Sequence, residues 1–175
     1  IAEGGRAMIY STAQLADKMF TAVLVGNQQQ YEEFDSQLGF FTPILKGFLT
    51  EMGLEAANLG MQVYGGHGYI QEHGMEQIAR DARISTLYEG TTGIQALDLI
   101  GRKVMGSGGA LLRNVTKTIH KFCEAQKDNV DMTPFSAPLS ELNTQWGDLT
   151  MKVGERAMEN AEEVGAASVD YTLYS

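Results

Sequence analysis

At 175 residues with 43% apolar side chains, the chain has the length of one ordinary domain and can bury a real core, roughly two-thirds of its unfolded surface. Its formal charge of −9 and pI near 4.7 repel phosphate backbones and leave no basic stripe for counterion release, which argues against nucleic acid as a partner. The one cysteine, Cys123, excludes an internal disulfide, and no apolar run approaches the roughly 20 residues that a membrane span needs.

From the N-terminus, Met8, Thr12, Leu15, Met19 and Val23 recur at three-and-four spacing and predict a helix over about Glu3 to Tyr31. The polar stretch after Asn27 and the run Glu32-Glu33-Phe34-Asp35 break that pattern, so a loop is expected before Gly39. Phe41, Ile44, Leu45, Phe48, Met52, Ala56, Leu59 and Val63 then mark a second long helix, with Pro43 expected near its first turn, where a missing N–H costs little. Gly47, Gly53 and Gly60 inside it cost roughly 1 kcal/mol each relative to alanine, so close approach by a neighbouring helix is expected there.

The run Tyr64-Gly65-Gly66-His67-Gly68-Tyr69 ends that helix and permits positive φ. Met75, Ile78, Ala79 and Ala82 mark a short helix, in which Arg80, Asp81 and Arg83 are expected to form an ion-pair cluster. A tight break at Tyr88-Glu89-Gly90-Thr91 leads into another helix, with Ile94, Leu97, Gly101 and Val104 on one face and Thr91 or Thr92 as N-cap. Met105-Gly106-Ser107-Gly108-Gly109 is the clearest linker, and a helix follows through Leu112, Val115, Ile119 and Phe122. Thr133 to Pro138 is the next expected break, after which Leu139, Leu142, Trp146, Leu149, Val153 and Ala157 describe a long amphipathic helix.

With no strand alternation and no repeat of 20 to 50 residues, the pattern predicts an all-α fold. Helix one, the long second helix and the helix after Thr91 are expected to form an antiparallel helical bundle, followed by an appended helical section. Such a bundle is incomplete and exposes apolar faces, so self-association is expected.

Several tempting motifs fail on spacing. Gly65 to Tyr69 follows a helix and has no third glycine at position 71, so it is not a dinucleotide fingerprint, and no Lys-Ser or Lys-Thr follows Gly106 to Gly109 as a phosphate loop requires. His67, Glu72, His73 and Glu76 match no zinc pattern, and no metal site is expected. His120, between Lys117 and Lys121, reads as a solvated residue, and Cys123 as a small core hydrophobe. Glu89 sits before Gly90 at a break between helices; from position alone it reads first as a cap, favoured by the helix macrodipole by about 0.3–1 kcal/mol.

Three segments change that weighting when taken together. Gln62-Val63-Tyr64-Gly65-Gly66-His67-Gly68-Tyr69, then Arg80-Asp81-Ala82-Arg83-Ile84, then Leu87-Tyr88-Glu89-Gly90-Thr91-Thr92-Gly93-Ile94-Gln95 resemble the acyl-CoA dehydrogenase family in order and interval. The continuation through Arg102-Lys103 resembles the longer branch of that family, in which residues 1–105 would be the C-terminal bundle lacking its start and 106–175 an appended helical region.

The resemblance implies that Glu89 is the base that removes the α-proton of an acyl thioester while hydride leaves the β-carbon for FAD. It implies that Gly90 lies against substrate, with Tyr88 and Leu87 as walls of a dry site in which a carboxylate is a stronger base than in water. Gln62, Gly65 and Gly66 would contact the FAD of a neighbouring subunit near its adenosine-diphosphate portion, and Thr91 and Thr92 would meet FAD where the next helix begins. Gly93 stands where the family often carries glutamine and offers no side chain to the cofactor. The product would be a trans-2-enoyl-CoA, the electron acceptor an electron-transfer flavoprotein, and the assembly a homodimer or homotetramer without a membrane span.

A complete enzyme of this kind has an N-terminal helical domain and a middle β-domain. This sequence lacks both, starts without Met or a signal pattern, and so reads as a fragment that is inactive alone. A reduced compartment is expected, bacterial cytoplasm or mitochondrial matrix, with no secretion. Two rivals stand beside this reading: a non-catalytic helical interaction module in which Glu89 and the glycines are only caps and turns, and a flavin relative that uses oxygen on acyl-CoA or an aspartate base on nitroalkanes.

Overall fold

The computed structural model describes Ala2 to Tyr174, and every regular element among those residues is helical. They fall into two compact units, one ending at Leu99 and the other beginning at Ile100.

The first unit opens with α1, Ala2–Leu24, and α2, Gln28–Val63. The chain leaves α1 through Gly26 at φ +69°, with the Gly26 N–H bonded to Val23 O and the Asn27 N–H to Ala22 O. Asn27 then caps α2, its Oδ1 accepting from the Gln30 N–H at 3.1 Å. Two expectations are corrected here, because the first helix stops well short of Tyr31 and no loop precedes Gly39. The polar stretch is instead the outer face of α2. Tyr31, Phe34 and Leu38 recur at helical spacing and are half-buried, while Gln28 bonds Glu32 at 2.8 Å and Gln37 bonds Glu33 at 3.3 Å across the outside.

α1 runs antiparallel to α2. Lys18 Nζ lies 6.0 Å from the centre of the Phe34 ring, and a Cβ on Gly5 would come 2.9 Å from the Leu49 side chain. Pro43 lies deep inside α2, not in its first turn, and is buried beside Phe40 and Ile44. Close approach holds at Gly60, where a Cβ would stand 2.9 Å from the Met75 methyl, but Gly53 faces open space.

After α2 come α3, Gly66–Tyr69, a 3-10 turn at Gln71–His73, and α4, Met75–Ser85. α5, Thr92–Leu97, passes directly into a π-helix, Asp98–Met105. α2 is the spine of this unit, with α1, α4 and α5 each packed on it. The ion pair of α4 also differs from expectation. Arg80 bonds Glu76 one turn back at 3.0 Å, whereas Asp81 accepts from Gln77 at 2.7 Å and Arg83 donates to Thr86 Oγ1 at 2.8 Å. Past Thr91 the buried residues are Ala96, Leu99, Ile100 and Val104, not Ile94 and Leu97, which are exposed. The i→i+5 bonding of the π-helix changes which positions share a face.

In the second unit the glycine run after Met105 forms a hydrogen-bonded turn. Gly106 N–H reaches Gly101 O at 2.9 Å, Gly109 N–H reaches Val104 O at 2.8 Å, and Arg113 Nη1 donates to Gly108 O at 2.9 Å. α6, Ala110–Gln126, α7, Thr133–Glu159, and α8, Glu162–Tyr174, follow. Pro134 occupies the first turn of α7 and Pro138 lies within it, so the break falls before Thr133. The sequence reading does not separate α8 from α7, though Asn160 turns the chain there, its Oδ1 accepting from the Glu162 N–H at 3.1 Å. Leu112, Cys123, Trp146, Val153 and Tyr171 are buried. The Tyr171 hydroxyl lies 2.8 Å from Thr150 Oγ1; burial pushes its pKa above the usual phenol value, partly offset by hydrogen bonding with Thr150 and Trp146. No helix among the described residues is long and apolar enough to cross a membrane.

Candidate active site

The end of α4 unwinds through bonds from the Thr86 N–H to Arg83 O and from the Leu87 and Tyr88 N–H groups to Ile84 O. The next residue, Glu89, has φ +55° and is the only non-glycine residue with positive φ among those described. Holding a side-chain-bearing residue there costs on the order of 1–3 kcal/mol, which the surroundings must over-determine. Gly90 follows at φ +94°, and a Cβ on it would stand 2.7 Å from Gln95 Nε2. That amide donates to Glu89 O at 3.3 Å, so α5 reaches back to hold the turn.

The helix cap is Thr91, whose Oγ1 accepts from the Ile94 N–H at 3.4 Å. Glu89 therefore is not the cap, because its left-handed backbone stands two residues upstream of the capping position.

Two residues of α2 fasten the same turn from the other side. Lys46 Nζ donates to Ser85 O, the last residue of α4, and lies 5.3 Å from the centre of the Tyr88 ring. Glu51 accepts from Thr92 Oγ1 at 2.6 Å. Neither is named by the sequence motifs. The signal available was charge, since Lys46 is the only charged residue between Asp35 and Glu51 on an otherwise apolar stretch.

The residues expected to wall the site stand on the surface of the turn. Leu87 is 46% exposed and Tyr88 51% exposed, with Glu89 itself exposed on the same turn. The Tyr88 ring lies with its centre 5.3 Å from Lys46 Nζ.

The second group of expected residues lies where α2 ends. Gln62 is exposed in the last turn, Gly65 has φ +59°, and Gly66 opens α3. Gly68 is buried with no room for a Cβ against Met61 O. Gly65 is required by its backbone angle and Gly68 by packing. Gly66 is required by neither, since it lacks positive φ and a Cβ on it meets nothing within 4 Å. The rings of His67 and His73 meet edge-on, centroids 5.1 Å apart, and no three His, Cys, Asp or Glu among the described residues gather around one ion position.

The two groups are not brought together. Thr92 meets α2 at Glu51, and Gln62 lies three helical turns further along, about 16 Å at 1.5 Å per residue. The chain thus presents two separate patches, one around Glu89 with Tyr88, Gly90, Thr91 and Thr92, the other around Gln62, Gly65 and Gly66.

A cavity of about 690 Å³ between α2 and α4, lined by Asn58, Met61, Tyr69, Arg80 and Arg83 among others, touches none of these residues. A cavity of this volume is large enough to hold a small ligand. Its arginines, however, already have partners, Arg80 in Glu76 and Arg83 in the Thr86 hydroxyl, and none of its lining residues has a strained backbone. The backbone at Glu89 is the stronger indication.

Residues 1–105 match the family described as acyl-CoA dehydrogenase, C-terminal domain, and residues 115–175 match the one described as acetyl-CoA dehydrogenase C-terminal like. The 3-methylmercaptopropionyl-CoA dehydrogenase of Ruegeria pomeroyi is 44% identical over 119 residues, 68% of this chain and 20% of that protein. The broad-specificity linear acyl-CoA dehydrogenase FadE5 of Mycobacterium tuberculosis is 34% identical over 128 residues, 73% of this chain and 21% of that protein. A butyryl-CoA dehydrogenase of Syntrophomonas wolfei is 30% identical, also over 73% of this chain and 20% of its own length. The chain spans about a fifth of the length of these curated relatives. With matches of this extent falling on an all-helical structure, the chain belongs to the acyl-CoA dehydrogenase family, whose C-terminal domain it carries.

Proposed function

We propose that this chain is the C-terminal part of an FAD-dependent enzyme that oxidises an acyl-CoA to the trans-2-enoyl-CoA, with Glu89 removing the α-proton. The observation that carries the reading is the Glu89 backbone, the one side-chain-bearing residue among those described that is held at positive φ, on a surface turn pinned by three side chains. A cap or an ordinary turn has no need of that strain, and glycine would relieve it.

An α-proton beside a thioester is weakly acidic, so its base gains strength by losing water. The exposure of Glu89 supports a division of labour, in which this chain presents the carboxylate and the remainder of the protein covers it. Gly90, without a side chain, leaves room for the thioester, and Tyr88 lies beside it. The Glu89 backbone N–H donates to the acyl carbonyl and stabilises the enolate charge as it develops. FAD, when bound, supplies the acceptor for the hydride that leaves the β-carbon. Thr91 and Thr92 meet the cofactor of the same subunit, with the Thr92 hydroxyl proton committed to Glu51. Gln62, Gly65 and Gly66 hold the adenosine-diphosphate end of a neighbouring subunit's cofactor, a reading supported by the separation of the two patches along α2.

In this reading residues 1–105 are the bundle and 106–175 the appended region, a division supported by family matches at 1–105 and 115–175. The enzyme is a homodimer or homotetramer in the bacterial cytoplasm or mitochondrial matrix and passes electrons to an electron-transfer flavoprotein, and the isolated chain is inactive. Exposed Phe20, Leu24 and Val63, with a groove of about 610 Å³ lined by Ile9, Leu49 and Met52 among others, support burial of α1 and α2 by other segments or copies.

The test is Glu89→Gln in the full-length protein with a panel of acyl-CoA lengths. Turnover is expected to fall by about 10²–10⁴-fold or more while FAD stays bound. Unchanged turnover assigns the base elsewhere, and hydrogen peroxide release with acyl-CoA assigns the protein to the oxidases.

A further inference from the structure

The geometry points to Lys46 and Glu51 of α2 as positioning residues that clamp the Glu89 turn from both flanks and so aim its carboxylate. This rests on the reading of Glu89 as the base. Lys46 holds the approach to the turn, donating to Ser85 O and seating its ammonium 5.3 Å from the Tyr88 ring centre. Glu51 holds the exit, accepting from Thr92 Oγ1 at 2.6 Å. The two stand five residues apart on one helix, and between their contacts lie only Glu89, Gly90 and Thr91.

The clamp fits a specific need. Two consecutive residues at positive φ have no regular backbone ladder to fix them, and a further tie is the Gln95 amide to Glu89 O at 3.3 Å. A helix as long as α2 is rigid enough to serve as the reference frame, and both clamping side chains are half-buried and so restricted in rotamer. A carboxylate that must meet a carbon acid within a few tenths of an ångström gains more from such a frame than from affinity for substrate. Neither Lys46 nor Glu51 is proposed to touch the reacting atoms.

The experiment uses the full-length enzyme with bound flavin and four variants, Lys46→Met, Lys46→Arg, Glu51→Leu and Glu51→Gln, with Glu89→Gln measured in parallel. Lys46→Met and Glu51→Leu are each expected to lower kcat by about 10- to 100-fold with KM changed by less than about threefold, since misplacement by an ångström has effects of that size. Arginine keeps the donor and the cation, and glutamine keeps the acceptor, so both conservative variants should recover most of kcat. Hydrogen exchange at the Leu87 to Gly90 amides should quicken in the two disruptive variants while α2 stays protected. The clamp is overturned if kcat is unchanged in both, or falls only in proportion to flavin lost, or is not restored by the conservative variants. Should Lys46→Met fail to accumulate as soluble protein, Glu51→Leu decides by the same criteria. An inactive Glu89→Gln beside fully active clamp variants sinks the clamp alone, whereas an active Glu89→Gln sinks the base.

Discussion

Of the turns that use positive φ, those at Gly65 and Glu89 are built in opposite ways. At Gly65 the chain takes φ +59° with a residue that does so at no steric cost, and no side chain comes within 4 Å of where a Cβ would stand. At Glu89 it takes φ +55° with a carboxylate-bearing residue, and Lys46, Glu51 and Gln95 converge to hold the turn. An unadorned glycine turn serves where the backbone itself is the surface to be offered. A strained and fastened turn serves where a particular side chain must be presented.

The comparison is sharpened first by alanine at the two glycines. Gly90→Ala meets both an unfavourable φ and the Gln95 amide 2.7 Å away, and is expected to destabilise by about 2–3 kcal/mol in urea unfolding. Gly65→Ala puts a side chain at φ +59° and ψ −141°, backbone open essentially only to glycine, and should cost about 1–3 kcal/mol although its Cβ meets nothing. A loss below about 0.5 kcal/mol at either position would show that its positive φ imposes no cost on a side chain.

A smaller effect of opposite sign tests the strain itself. Glu89→Gly is expected to raise stability by about 0.5–1 kcal/mol while abolishing turnover, because glycine releases the positive-φ penalty and takes the carboxylate with it. A destabilised Glu89→Gly protein would show that the side chain, not function, holds the turn. The smallest structural effect belongs to Gly66→Ala, expected within about 0.5 kcal/mol of wild type because its Cβ meets nothing. Measured FAD affinity of the assembled enzyme should nevertheless fall, and unchanged affinity would leave that glycine without a role.

The sequence made the helical stripes legible wherever apolar residues dominate a face, as in α1, the second half of α2, α6 and α7. It misled where polarity stood for position. The glutamines and glutamates from Gln28 to Gln37 coat the outside of α2, and a loop was expected because their inward partners Tyr31, Phe34 and Leu38 are few. The shift of buried face beyond Thr91 escaped for a different reason, since an α-to-π transition leaves no mark in a 3.6-residue template.

For the site, the turn at Glu89-Gly90 and the cap at Thr91 were readable from local chemistry. Lys46 and Glu51 were not, because what matters about them is a contact some forty residues away in sequence, at Ser85 and Thr92. A lone lysine on an apolar stretch marks a residue with an assignment but does not name the partner.

The most direct measurement is α-proton exchange, following incorporation of deuterium from D2O at the α-carbon of an acyl-CoA bound to the full-length enzyme, wild type against Glu89→Gln. The account predicts that wild type exchanges that proton and that the variant slows the exchange by about 10²-fold or more with flavin and substrate still bound. Exchange at the wild-type rate in Glu89→Gln would contradict it, whatever the loss in overall turnover.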